Sequence, residues 1–82
     1  VTHQNLTAAA RLAREASQGR RTIEIVVTEE GVLVRGRTVV DDRQGNASHI
    51  IGWRELSQAV IDIASDAVVL VDRELSAMEG AA

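Results

Sequence analysis

The sequence predicts an α+β domain in the order helix, three-stranded antiparallel meander, long helix (αβββα), with residues 1–82 as one unit. Three observations carry that prediction. Residues 53–78 contain no Gly or Pro and repeat apolar side chains at steps of three and four, the spacing of one helix face. Residues 22–51 are instead β-branched and alternating, interrupted by two short polar segments that end in Gly31 and Gly45. Residues 2–17 are rich in alanine, which favours helix but offers little side-chain area to bury.

The first helix is expected over residues 2–17, with Thr2 or Asn5 as its cap and Gly19 placed to end it. Leu6, Ala9, Ala10, Ala13 and Ala16 make its thin apolar stripe, and Arg11, Arg14 and Glu15 face outward. Residues 22–28 and 32–40 read as strands joined by a four-residue loop, Thr28 to Gly31. Pairing residues whose numbers sum to 59 sets Val27 against Val32, Ile25 against Val34 and Ile23 against Gly36 on one side. It sets Glu24 against Arg35 on the other, a cross-strand charge pair. A shift of one residue would put Ile25 against Arg35 and mix the faces. The same device is expected at Asp42-Arg-Gln-Gly45, where sums of 87 pair Val40 with Ala47, Thr38 with His49 and Gly36 with Ile51. Both turns then place one set of side chains on a common buried face. Val26, Leu33, Val39 and Ile50 dot the opposite face, which is expected to be partly solvated. Gly36, in mid-strand, marks a bulge or a close approach by a helix.

Gly52 ends the third strand and Trp53 opens the last helix, expected as one continuous rod to Met78. Trp53, Leu56, Val60, Ile63, Ala67, Leu70 and Val71 form the stripe assigned to the sheet. A second row, Ile61, Val68 and Leu75, repeats at seven and makes the apolar surface wider than the sheet covers. That row, with Val71, is the expected interface, met either by the first helix or by the same row of a second chain. The β-branched segment 67–71 would otherwise form a fourth strand, but the unbroken spacing and the lack of a turn signal favour helix.

Composition narrows the classes of function. The net charge of −3 is not that of a dedicated nucleic-acid binder, which carries a basic face. The absence of cysteine removes disulfides, thiol catalysis and cysteine-based zinc sites. Trp53 is the only aromatic residue, so the core must be aliphatic, at about 25 cal/mol per Å² buried. Association is one way to add such surface. All nine basic residues are Arg, which fits coding in a GC-rich bacterial genome with Val1 read from a GTG start. No apolar run approaches about 18 residues. No basic-then-apolar leader pattern opens the chain, so a cytoplasmic location away from membranes is expected.

Candidate chemistry is sparse. Ser48 and His49 are adjacent in a strand and point to opposite faces, so they cannot act as nucleophile and base. A metal site from His3, His49, Asp41 and Asp42 would need distant segments to meet, without H-x-x-x-H or H-x-H spacing. Glu55, Asp62, Asp66 and Asp72 read as a solvated helix face, whereas Glu74 falls on the apolar side. There it would lie beyond the sheet edge or pair with an Arg of a partner chain. Gly31, Gly36 and Gly45 match no phosphate-binding loop. No enzymatic activity, cofactor, metal or small-molecule substrate is expected. Arg20, Arg21, Arg35, Arg37 and Arg43 would make a basic strip if the fold gathered them, and strand-end charges balanced by Glu24, Glu29, Glu30, Asp41 and Asp42 if it did not.

The order of helix, three strands and helix resembles the topology of double-stranded RNA-binding domains. Their final helix opens with a Lys-rich segment, and here that position reads Trp53-Arg-Glu-Leu-Ser-Gln58, so the resemblance carries no binding residues across. The segment 56–78 is also similar to the long helix of small nucleoid-associated proteins that join flanking helices to a short meander and dimerise, although the first helix here is shorter. The expected function is a non-enzymatic interaction or regulatory module, homodimeric through its C-terminal helix or bound to another protein. The alternative is nucleic-acid binding through the Arg strip.

Overall fold

The computed structural model describes the backbone of residues 2–58 and 62–80 and the side chains of residues 6–58 and 62–80. The elements run α1 (Thr2–Ala16), β1 (Thr22–Val27), β2 (Gly31–Val40), β3 (Arg43–Gly52), α2 (Trp53–Gln58) and α3 (Ile63–Gly80). The fold is therefore α+β in the expected order. Ala9 and Ala13 of α1 are buried, Leu6 and Ala16 half-buried against the core, and Ala10 exposed. Ser17 follows the helix and bonds back to it, its hydroxyl donating to the Ala13 carbonyl at 2.6 Å.

The sheet has the order β1-β2-β3, antiparallel throughout. The first hairpin has the expected register, from Thr22 against Arg37 to Val27 against Val32, with Glu24 and Arg35 ion-paired across the strands. The Thr28 amide donates to the Gly31 carbonyl at 2.8 Å and closes the turn. The second hairpin differs from expectation. Its turn is Asp41-Asp42, both in the left-handed region with φ of 50° and 66°, rather than Asp42 to Gly45. Two central residues at positive φ give a turn whose twist matches that of the strands, and Asp tolerates this region better than most side chains. Pairs therefore sum to 83 rather than 87: Val34 faces His49, Gly36 faces Ala47 and Thr38 faces Gly45. The displacement is an even number of residues, so every side chain keeps its expected face.

Ile23, Val32, Val34, Ala47 and Ile51 on that face are buried with Leu56, Ala64, Ala67, Val68, Val71 and Leu75 of the helices. Val27, at the hairpin end of the same face, is 64% exposed. The continuous ladder shows no bulge at Gly36, and the helix approach explains the glycine. A Cβ placed there would stand 2.5 Å from Val71 Cγ1 and 2.7 Å from Leu75 Cδ1. At Gly45 the same atom would meet the sulfur of Met78 at 2.7 Å. The helix crosses the sheet where side chains are missing.

The segment expected as one rod is two helices. α2 ends at Gln58, Asp62 is not helical, and α3 starts at Ile63. Asp62 caps α3, its Oδ1 accepting the Ser65 amide at 3.0 Å while its other oxygen takes the Ser65 hydroxyl. Val60 and Ile61 of the expected rows lie outside the described residues. Residues 67–71 are helical, inside α3. The buried residues of α3 step 64, 67, 68, 71, 75, so Leu70, assigned to the sheet side, turns outward with Val69. Packing on two sides, sheet and α1, selects that phase.

Two substitutions probe this packing. Gly36→Ala should destabilise the fold by about 1–3 kcal/mol, because Val71 and Leu75 must move. Asp62→Ala should cost about 1 kcal/mol through the lost cap. Denaturant titrations of both variants beside wild type measure these differences.

Candidate functional site

All described helices that touch the sheet pack on the face just described, and no other described element covers the second face. Alternation places Thr22, Glu24 and Val26 of β1, Leu33, Arg35, Arg37 and Val39 of β2, and Gln44, Asn46, Ser48 and Ile50 of β3 on the open face. The register sorts them into rows across the sheet. Val26, Leu33 and Ile50 form an apolar row, with Ile50 55% exposed. Beside it lies the row Glu24, Arg35, Ser48, then Thr22, Arg37, Asn46, then Val39 with Gln44. A shallow hollow of about 370 Å³ spans the two middle rows, lined by Thr22, Glu24, Leu33, Arg35, Arg37, Asn46 and Ser48 among others. Arg35 is held by Glu24. Arg37 makes no hydrogen bond or ion pair among the described residues.

The five arginines of the expected strip are not brought together. Arg35 and Arg37 share the open face, Arg20 is exposed in the turn before β1, and Arg43 opens β3 on the opposite alternation. Arg21 is committed to α3. Its guanidinium binds the carboxylates of Asp72 and Glu79 and donates to Ser76 Oγ at 2.9 Å. Glu79 Oε2 also accepts the hydroxyl of Thr38, a fully buried residue of β2, at 2.6 Å. These contacts hold Glu79 below the usual glutamate range, first through Arg21 and then through Thr38. Glu79 and Asp72 in turn raise the Arg21 guanidinium above its ordinary value.

Sequence reasoning missed this network because its parts are far apart in the chain. A signal was present in Asp72, Ser76 and Glu79, which step by four and three along one line of the helix beside Val71 and Leu75. Thr38, a hydroxyl on the core-facing alternation, needed a partner.

His49 sits on the helix side of β3 and its Nε2 lies 3.1 Å from Glu74 Oε1. Glu74 is exposed and has an intrachain partner. Asp41 and Asp42 stand at the tip of the second hairpin, and the side chain of His3 lies outside the described residues. Among the described residues no three His, Cys, Asp or Glu side chains converge on a metal-binding point. The row expected as an interface is placed inside the chain. Val68, Val71 and Leu75 are at most 2% exposed, and Ile61 is outside the described residues. On α3 the apolar side chains left at the surface are Val69, Leu70 and Met78. Among the described residues no helix is long and apolar enough to cross a membrane.

Compared with models of protein families, with curated proteins and with solved structures, the chain matches none.

The Arg21 network predicts a pH dependence. Glu79 has a lowered folded value, so its contribution to stability is complete above the ordinary glutamate pKa of about 4.3. It is lost as pH falls through the lowered value. Thermal unfolding followed from neutral to acid pH should show wild type losing stability faster than Glu79→Gln, with the two curves converging in acid.

Proposed function

We propose that this domain is a non-enzymatic protein-interaction module whose working surface is the uncovered face of the sheet. One observation carries the reading: the open face holds an apolar row, Val26, Leu33 and Ile50, and, two rows along the same face, an arginine without an ion-pair partner among the described residues, Arg37. Exposed aliphatic surface with an arginine on the same face fits a protein contact, where Arg is among the side chains that contribute most to binding. A fitting partner offers aliphatic side chains and, set apart from them along the strand direction, a carboxylate. The carboxylate would pair with Arg37, and the aliphatic groups would cover Ile50.

Nucleic-acid binding uses the same face and is the weaker reading. Only Arg35 and Arg37 share that face, and Glu24 already holds Arg35. The face has no aromatic ring on which a base could stack. Trp53, the one aromatic residue, is anchored at the first hairpin, its Nε1 donating to the carbonyls of Thr28 and Glu29 at 3.1 and 3.0 Å.

A displayed random-peptide library tests the two readings together with duplex DNA and RNA at low salt. The selected peptides should carry Asp or Glu together with, but spaced from, aliphatic residues. They should shift the NMR signals of Leu33, Arg37 and Ile50, and lose at least tenfold in affinity against Ile50→Glu or Arg37→Glu. Peptides that bind these variants unchanged would defeat the proposal. Salt-sensitive binding of a duplex that disappears in Arg37→Glu would replace it with the nucleic-acid reading.

A further inference from the structure

The edges of the sheet are not equivalent, and the difference can be followed group by group. In an antiparallel ladder alternate residues direct both N–H and C=O at the neighbouring strand, and those between direct them outward. In β1 the outward set contains Ile23, because the Ser17 hydroxyl oxygen accepts the Ile23 amide at 2.9 Å and lies 3.2 Å from its carbonyl. Ile23 faces Gly36, so Gly36 directs its own groups at Ala47 of β3. The odd-numbered residues of β3 therefore bond β2. Before the terminal Gly52, the outward groups of β3 are those of Gln44, Asn46, Ser48 and Ile50, four residues whose side chains are all exposed.

A free edge is a template for another strand, and folded chains guard such edges with short strands, Pro, Lys, bulges or a covering segment. The β1 edge is guarded: the strand has six residues and Ser17 occupies its Ile23 position. The β3 edge has ten residues, a ladder without a bulge, and no Pro or Lys. Its single charged side chain, Arg43, stands at one end. Among the described residues no side chain bonds the outward backbone groups of Gln44, Asn46, Ser48 or Ile50.

We propose that β3 is a homodimerisation edge: two copies pair their β3 strands antiparallel about a two-fold axis at Ala47, joining two three-stranded sheets into one of six. The occupant is a second copy because β3 complements itself. Outward groups sit on even-numbered residues in both copies, so an antiparallel pairing centred on Ala47 matches them without a slip. Asn46 then faces Ser48 of the partner subunit, and Gln44 faces Ile50 of the partner subunit. About eight backbone hydrogen bonds result. Ala47 meets its own copy at the axis with little side-chain bulk, and the two Arg43 side chains are sent to opposite ends, so no like charges face each other. The contact is isologous and closes at two subunits. It uses the edge rather than the open face, and stands independently of the partner assigned to that face.

Sedimentation equilibrium on the full chain tests it with Ser48→Pro. The Ser48 amide points away from β2, so Pro removes no bond within the chain and is tolerated at an edge position. Wild type should reach twice the 8.8 kDa chain mass as concentration rises. Ser48→Pro should stay at the chain mass and unfold as cooperatively as wild type, while Leu70→Glu should dimerise normally. Amide exchange on wild type supplies the second measurement and needs no folded variant. The Asn46, Ser48 and Ile50 amides should be protected at high concentration and lose at least tenfold of that protection on dilution. A wild type that is monomeric at all concentrations would overturn the proposal. So would a dimer that keeps its mass in folded Ser48→Pro, or one whose Ser48 amide exchanges at the free rate.

Discussion

The structure depends on how closely α3 lies on the sheet. That closeness is set by what is missing, since Gly36 and Gly45 present no Cβ where the helix crosses. Val71 and Leu75 fill the space and are fully buried. A helix held this near leaves little depth for large side chains, and the core is built from Val, Ala, Ile and Leu. Dispersion in such a core comes from short contacts rather than from bulk. The alanines of α1 continue the same logic on the far side of α3, where Ala9 and Ala13 allow a second close approach. Small residues on both flanks substitute for the aromatic anchors that the buried core lacks.

The Arg21 network belongs to the same arrangement. Once α3 is laid across Gly36 and Gly45, its last turns pass over Thr38 and reach the start of β1. Glu79 then has two fixed donors, one from a buried hydroxyl and one from a guanidinium. A carboxylate satisfied in this way is a clasp between helix end and sheet. Its groups bond one another, which leaves them little capacity to take up a ligand, and the open face is the freer surface.

The order of elements was legible because it rests on local patterns: alternation in residues 22–51 and three-four spacing on either side. The first hairpin register was legible too, since one charge pair, Glu24 with Arg35, and one set of apolar pairs agree on it. The second was not. Asp41-Asp42 and Asp42 to Gly45 both make good turns locally, and both put the same side chains on the same face, so facial pattern could not choose between them. The break before α3 was hidden for a related reason. Asp62 fits the polar face of a continuous helix as well as it fits a cap, and only the Ser65 amide reveals which role it takes. The burial of Val68 and Leu75 was left open between two covers of equal chemistry. The chain itself supplies the cover, with Leu75 over Gly36 of the sheet and α1 packed against α3, without the entropy of association. Arg21 with Asp72 and Glu79 joins positions more than fifty residues apart, beyond any local signal.

The choice of turn reaches further than the register. Sums of 87 would have left Arg43 to Gly45 in a loop and begun the paired part of β3 only at Asn46. The two-residue turn at Asp41-Asp42 instead pairs β3 from Arg43 onward, directly after the turn, and gives it ten partners on β2. Every residue added to that ladder also adds to the row of outward groups on its other side, since a strand cannot pair along one edge without exposing the next. The tight turn thus stabilises the sheet and creates its long open edge in one step. With Val68 and Leu75 buried within the chain, the unmet pairing capacity of this sheet among the described residues includes the backbone of its outer strand. The proposed self-association accordingly lies at the outer strand rather than at the C-terminal helix.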